Sequence, residues 1–284
     1  MDYAFPFIQK PPRSAKPRQN GVTMVLDKNL SVPEVECLVQ SASDFIDLMK
    51  FGWCTCAIFQ TDIIRQKCEI LRSHDIDVCP GGTLFELAFL QGKIPQLLRE
   101  ARELGFSCIE VSNGTIPMTE EQKLRCIKMV LDAGFKVVSE VGSKFVEEDL
   151  RLHVEQRIEQ TRQELKCGVW KVIVEARESG TFGIFDSKGK MRVDMLQSLI
   201  EGVGVDDLIF EAPIKQQQVE LILRLGNGVN LGNIPPGEVI SLETLRLGLR
   251  GDTLRHFHVL RPSISVELGP SGALAASDSD LRLQ

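Results

Sequence analysis

Short apolar runs recur along the chain at intervals of roughly thirty residues, the rhythm of alternating strands and helices. They begin near Val22, Phe45, Ile76, Cys108, Lys136, Lys171, Leu208 and Val229. Their β-branched, near-continuous apolar character predicts strands buried on both faces, as in a parallel sheet. The stretches between them carry helix signals. Thr119, with Gln122 three residues later, reads as a capping box; Leu124, Ile127, Val130 and Leu131 follow at helical spacing, and Gly134 stops the segment. Pro95 opens another helix and Gly105 closes it. The longest such stretch, from about Glu147 to Lys166, is strongly charged, which predicts an outermost helix with a solvated face and no assigned function. Eight strand-plus-helix units predict an α/β protein of the (β/α)8 TIM-barrel class. Residues 1–20, with Lys10-Pro-Pro-Arg13 and Lys16-Pro-Arg18, read as an N-terminal arm, 21–258 as the catalytic barrel, and 259–284 as a tail. That tail, rich in Pro, Ser, Gly, Ala and Asp, is expected to be disordered because it cannot bury enough apolar surface.

Composition narrows the classes of function. A chain of 284 residues, 43% hydrophobic and 25% charged, can bury a large core. A net charge of −6 and the lack of a basic run oppose a nucleic-acid partner and leave small anionic substrates open. No stretch approaches the ~20 apolar residues of a membrane span, and Met1-Asp-Tyr-Ala-Phe-Pro-Phe7 lacks the pattern of a secretion leader, so a cytoplasmic protein is expected. The eight cysteines are scattered and read as reduced, mostly buried thiols. Cys54 and Cys56 form the one close pair, with no second pair at zinc-ligand spacing. His256 and His258 read as a surface pair where the folded part ends.

The candidate chemistry lies at the strand ends. Four runs hand over to a loop at a glutamate: Cys108-Ile-Glu110, Val137-Val-Ser-Glu140, Val172-Ile-Val-Glu175 and Leu208-Ile-Phe-Glu211. In a parallel barrel these ends lie together, where active sites are built, and clustered acids there are costly unless a metal ion or cations neutralise them. Glu175 and Glu211, on neighbouring strands, could hold an octahedral Mg2+, and the plainer alternative is that they pair with Lys50, Lys171 or Arg177. Lys50, Lys144 and Arg177 are candidate counter-ions for an anionic ligand, and Lys144, on a short Gly-Ser loop, could deliver a proton. Gly81-Gly-Thr83, Ser112-Asn-Gly-Thr115 and Glu178-Ser-Gly-Thr181 offer backbone N–H groups to an oxyanion.

Several of these loops carry a family resemblance. Asp47-Leu-Met-Lys-Phe-Gly-Trp53, Pro80-Gly-Gly-Thr-Leu-Phe-Glu86, Ser112-Asn-Gly-Thr115 and Ser139-Glu-Val-Gly-Ser-Lys144 come first; Glu175-Ala-Arg-Glu-Ser-Gly180, Ile209-Phe-Glu-Ala-Pro213, Val229-Asn-Leu-Gly-Asn-Ile234 and Ser241 to Thr253 follow. In this order, from about Lys16 to Thr253, they resemble phosphosulfolactate synthase. The resemblance implies a (β/α)8 carbon–sulfur lyase that adds sulfite to phosphoenolpyruvate with Mg2+, giving (2R)-phospho-3-sulfolactate for coenzyme M or sulfolactate synthesis. It also suggests a homo-oligomer, while charge and hydropathy give the expectation of no nucleic acid or membrane as partner.

Strand-end position and resemblance together give the candidate site. Lys144 and Arg177 are the catalytic candidates; Asp27, Lys50, Gly82, Thr83, Ser112, Ser179, Gly180 and Asn233 are the substrate-binding ones. Glu175 and Glu211 lead the metal set with Glu140 as third member, while Glu110 and Glu140 are also read as positioning Ser112, Lys144 and water. Two departures stand out: the family usually has Gly at Cys54 and a small or polar residue at Phe182. The rivals are a related barrel enzyme using another phospho-enol acid or nucleophile, and a non-catalytic stress or interaction homologue. Retention of the acids, Lys144 and Arg177 speaks against the second.

Overall fold

The structure is a computed structural model that describes residues 3–142, 153–176, 179–181 and 183–260. The apolar runs form β1 (Thr23–Asp27), β2 (Leu48–Phe51), β3 (Asp77–Cys79), β4 (Cys108–Val111), β5 (Lys136–Val141), β6 (Lys171–Val174), β7 (Leu208–Glu211) and β8 (Leu231–Ile234). They form one sheet in the order β3-β2-β1-β8-β7-β6-β5-β4, and every pairing is parallel. Its two ends meet where the Ser107 N–H donates to Val78 O at 3.2 Å and the Val78 N–H donates to Ser107 Oγ at 3.1 Å. The sheet is therefore a nearly closed barrel, as the rhythm of the sequence predicts.

Helices fill the intervals: α1 (Val32–Ala42), α2 (Thr61–Arg72), α3 (Gly82–Leu90), α4 (Ile94–Leu104), α5 (Glu120–Asp132), α6 (Val154–Cys167), α7 (Val193–Val203), α8 (Lys215–Leu225), α9 (Val239–Arg246) and α10 (Gly251–Arg255). The local signals act as expected. At α5 the Gln122 N–H donates to Thr119 Oγ1 at 3.2 Å and the Thr119 N–H donates to Gln122 Oε1 at 2.9 Å. Gly105 ends α4 in the left-handed conformation.

Strand alternation divides the core in two. Val22, Met24, Leu48, Cys79, Cys108, Val138, Ile173 and Ile209 fill the barrel axis, while Val25, Met49, Val78, Ile109, Val137, Val172 and Leu208 pack beneath the helices. Two residues beyond the inward Leu48, Cys108, Val138, Ile173 and Ile209 stand Lys50, Glu110, Glu140, Glu175 and Glu211. The period of two thus stacks a charged layer directly on an apolar plug. The opposite end is closed by the arm and α9: Arg13 pairs with Glu243 at 3.0 Å and Arg18 with Asp47 at 3.1 Å. Arg246 donates to Val229 O at 2.6 Å and Asn227 O at 2.7 Å.

One helix departs from expectation. The charged stretch read as a solvated face has its described part in α6, and Arg157, Gln160, Thr161 and Glu164 of that helix are buried. Glu164 is there because α5 brings Lys123 to it at 2.7 Å, with both side chains 1% exposed. The cysteines are all free; Cys68, Cys79, Cys108 and Cys126 are buried, Cys37 is exposed, and the other three are partly exposed. Among the described residues, no helix is long and apolar enough to cross a membrane. The tail expected to be disordered lies, from residue 261 onward, outside the described residues.

Candidate active site

Five strands deliver the charged layer to a cavity of about 560 Å³ at the C-terminal end of the barrel. Its wall includes Lys50, Glu110, Glu140, Glu175 and Glu211, with Leu26, Gly52, Trp53, Gly81, Gly82, Thr83, Thr115, Ser179 and Asn233. All four glutamates are at most 3% exposed. A second depression of about 420 Å³, between α2, α3 and α4, is walled chiefly by apolar groups such as Phe59, Leu84 and Leu97. The barrel cavity is where ionisable groups converge, and any charge chemistry belongs there.

Within it the acids separate into two roles. One carboxylate oxygen each from Glu140, Glu175 and Glu211 lie within 4.8 Å of one another. An octahedral Mg2+ with oxygens at about 2.1 Å sets its ligands about 3 to 4.2 Å apart, so this all-oxygen set fits such an ion after a small inward adjustment. Glu110 is turned to other work. It accepts the Gly82 N–H at 3.0 Å and pairs with Lys50 at 3.3 Å. A Cβ at Gly82 would stand 2.5 Å from Glu110 Oε1 and 2.6 Å from Ser112 Cβ, so only glycine lets α3 begin this close to β4.

Lys50 joins the two roles. Its ammonium lies 3.1 Å from Glu211 and 3.3 Å from Glu110. Burial alone would lower its pKa, but Glu110, Glu211, Glu140 and Glu175 together outweigh that and hold it well above the ordinary lysine value. The plainer expectation of an acid paired with lysine is therefore met for Glu211 and Lys50, whereas Lys171 enters β6 at the opposite end of the barrel. Glu211 also accepts the Ala176 N–H at 3.1 Å. Among the described wall residues, four carboxylates face one ammonium, a surplus of buried negative charge that a divalent cation would offset.

The other candidates fall into distinct places. Thr83, Ser179 and Asn233 line the cavity with Lys50, and Gly82 lines it with its N–H already given to Glu110. Asn233 reaches it through a bulge: between the pairings Thr23 to Leu231 and Val25 to Ile234, β8 carries one residue more than β1. Asn233 takes up that residue at φ +54°, a conformation asparagine tolerates better than most side chains. Gly180 stands beside the wall, its carbonyl held by Gln217 Nε2 at 2.6 Å. Ser112 sits behind Glu140, with Oγ 2.9 Å from Glu140 Oε1 and 2.9 Å from Glu86 Oε1. Asp27 turns away from the cavity, because Leu26 takes the inward position of β1. It pairs with Lys67 at 2.5 Å and accepts the Leu30 N–H at 2.8 Å. Lys144, Arg177 and Phe182 lie outside the described residues.

Sequence reasoning passed over Trp53, Thr115 and Glu86. Trp53 stands at the cavity mouth, 57% exposed, with Lys28 Nζ 4.6 Å from its ring centre. Thr115 was visible as the end of the Ser112-Asn-Gly-Thr115 loop motif, with no role of its own. Glu86 was visible only as the last residue of the Pro80–Glu86 motif and was given no role, since an acid within a helix ordinarily marks a solvated face.

Comparison with known proteins adds a direct line. Residues 11–252 match the family "(2R)-phospho-3-sulfolactate synthase (ComA)". The chain is 48% identical over 252 residues to the phosphosulfolactate synthase of Methanothermobacter thermautotrophicus, covering 88% of this chain and 97% of that one. It is 41% identical over 247 residues to the phosphosulfolactate synthase of Bacillus subtilis, covering 87% and 97%. At 23% identity over 264 residues, covering 84% and 90%, it also resembles Protein HEAT-STRESS-ASSOCIATED 32 of Arabidopsis thaliana. Among solved structures, 3-hexulose-6-phosphate synthase from Salmonella typhimurium superposes with a TM-score of 0.52 at 15% identity, covering 79% of this chain and 98% of that one. That likeness is one of fold.

Proposed function

Because the chain belongs to the (2R)-phospho-3-sulfolactate synthase family, we propose that it catalyses the Mg2+-dependent addition of sulfite to phosphoenolpyruvate, giving (2R)-phospho-3-sulfolactate. The observation that carries this reading is the convergence of the buried Glu140, Glu175 and Glu211 carboxylates on the strand-end cavity. In the reaction the sulfur forms a bond to the methylene carbon, the double-bond electrons move toward the neighbouring carbon and its carboxylate, and a proton added to that carbon completes the product. Two anions must meet inside an acidic cavity, so electrostatics is the principal barrier. Glu140, Glu175 and Glu211 would hold the Mg2+, which when bound supplies positive charge against the substrate's developing negative charge.

The remaining tasks fall to the chain itself. Lys50 holds Glu211 and Glu110 in place, and its charge is largely committed to them, so it serves an anionic substrate by keeping the carboxylates oriented. Thr83, Ser179 and Asn233 offer polar groups on the wall. Lys144 is assigned proton delivery and Arg177 the grip on the anionic groups, on the strength of the family motif. The rival reading of a non-catalytic stress homologue is weaker, since the identity to Protein HEAT-STRESS-ASSOCIATED 32 is 23% and the cavity keeps its acids and Lys50.

Purified protein given phosphoenolpyruvate, sulfite and Mg2+ should form phosphosulfolactate, detected by mass spectrometry. Absence of product with or without added metal would overturn the assignment. Replacing Lys144 by Ala should lower kcat by about 100-fold or more, the scale of a lost proton donor, with an unchanged circular-dichroism spectrum. Full turnover in that variant would remove Lys144 from the mechanism.

A further inference from the structure

We propose that Glu86 is a positioning residue of the candidate active site, acting on the Glu140 carboxylate through the Ser112 hydroxyl. The proposal rests on the functional reading above for the role of Glu140. Its own grounds are geometric. Glu86 lies in α3 among Leu84, Phe85, Leu87 and Ala88, is 1% exposed, and is not part of the cavity wall. Among the described residues no lysine or arginine forms an ion pair with it. A carboxylate buried without a cation is an expensive way to fill a helix face that an apolar side chain could occupy.

What surrounds Glu86 is a set of hydrogen-bond donors from the loop after β4. Its Oε1 accepts the Ser112 hydroxyl at 2.9 Å and the Thr115 N–H at 3.0 Å, and its Oε2 accepts the Thr115 hydroxyl. One acid thereby fixes both ends of the segment from Ser112 to Thr115. Thr115 then forms part of the cavity wall, and Ser112 Oγ lies 2.9 Å from Glu140 Oε1. A serine hydroxyl has a single hydrogen to share between the two carboxylates, so the position of one is felt by the other.

Glu140 is held independently at its backbone. Its carbonyl accepts from Lys123 Nζ at 2.6 Å, and Lys123 is paired with Glu164 at 2.7 Å. The end of β5 is thus anchored by α5 and α6, while α3 acts on its carboxylate through Ser112. Loss of Glu86 therefore releases the loop that carries the Ser112 hydroxyl to the Glu140 carboxylate and leaves the strand in place. Outer groups that orient metal-ligating side chains have large effects on affinity.

The test compares the full-length wild-type chain with Glu86→Ala, Glu86→Gln, Ser112→Ala and the Glu86→Ala/Ser112→Ala double variant. The measurements are crystal structures, Mn2+ binding by calorimetry, and turnover with phosphoenolpyruvate and sulfite. In Glu86→Ala the Glu140 carboxylate should turn away from Glu175 and Glu211 while the Lys123 contact persists. Its Mn2+ affinity should fall about 10- to 100-fold. The double variant should bind no more weakly than Ser112→Ala alone, because both substitutions interrupt one path. Glu86→Gln, which keeps an acceptor for Thr115 and can donate to Ser112, should restore most of the affinity. If Glu86→Ala does not fold, Glu86→Leu fills the same space and carries the same comparison. An unmoved Glu140 carboxylate, or losses that multiply in the double variant, would overturn the proposal. Wild-type protein that neither binds Mn2+ nor forms product refutes the function proposed above, and the position of Glu140 in the variant crystals still decides the role of Glu86.

Discussion

Cys54 shows what a single position can carry. It follows Trp53 at φ +56°, and Trp53 has the same φ, so two successive side chains occupy the left-handed region at the cavity mouth. That geometry is one that glycine, the residue expected here from the family resemblance, adopts at no side-chain cost. A left-handed L-residue costs about 1–2 kcal/mol, and glycine returns about 0.4–1 kcal/mol of that through the freer unfolded chain. Cys54→Gly should therefore stabilise the protein by about 0.5–1 kcal/mol, seen as a higher urea midpoint at unchanged slope. An unchanged midpoint would mean that the Trp53–Cys54 turn holds little strain. The sequence marks the departure from the motif, but only the backbone angle says why it matters.

At the scale of elements, the same kind of charge pair has opposite weight depending on which face it takes. Lys123 of α5 and Glu164 of α6 are each 1% exposed and 2.7 Å apart, whereas Glu121 and Arg125 of α5 are 81% and 62% exposed. Glu164→Ala leaves an ammonium buried and should cost about 3–5 kcal/mol; Glu121→Ala should cost at most about 0.5 kcal/mol. Chemical denaturation of the two variants checks the contrast, and similar losses would show that burial does not set their worth. The strands were legible because period two and uninterrupted apolar runs leave little choice of face. The buried acid of α6 was not, because a charged stretch reads the same whichever way the helix is turned.

At the scale of the whole molecule, the barrel gathers four buried glutamates around one buried lysine among the described residues. Lys50, from β2, stands among glutamates from β4, β5, β6 and β7, and its pKa is raised. A base whose folded pKa exceeds its unfolded value of about 10.4 contributes stability that is fully present below that value. The contribution is lost as pH rises through the folded pKa, so it is constant across the neutral range and disappears only in strong alkali. Lys50→Met should cost about 3–5 kcal/mol at pH 7 by leaving Glu110 and Glu211 without their cation. The deficit should shrink on addition of Mn2+, which would offset the same carboxylates. Urea denaturation at pH 7.5 with and without the ion measures it, and an equal deficit in both would show that other groups balance these acids.

The sequence by itself determined the barrel, the strand ends and the acids that stand there. Those features follow from local periodicity: a buried strand must alternate, and Glu110, Glu140, Glu175 and Glu211 occupy equivalent steps of that alternation. Tertiary structure decided how the acids divide their work. Glu110 turns to Lys50 and the start of α3, while Glu140 joins Glu175 and Glu211, because the partners come from elements distant in sequence. Asp27 ends its strand on the outward step and is taken up by Lys67, and Glu86 reaches Glu140 only across the Ser112 loop. Periodicity fixes which way a side chain points along its own strand; what it meets there is fixed by packing between strands and helices far apart in the chain.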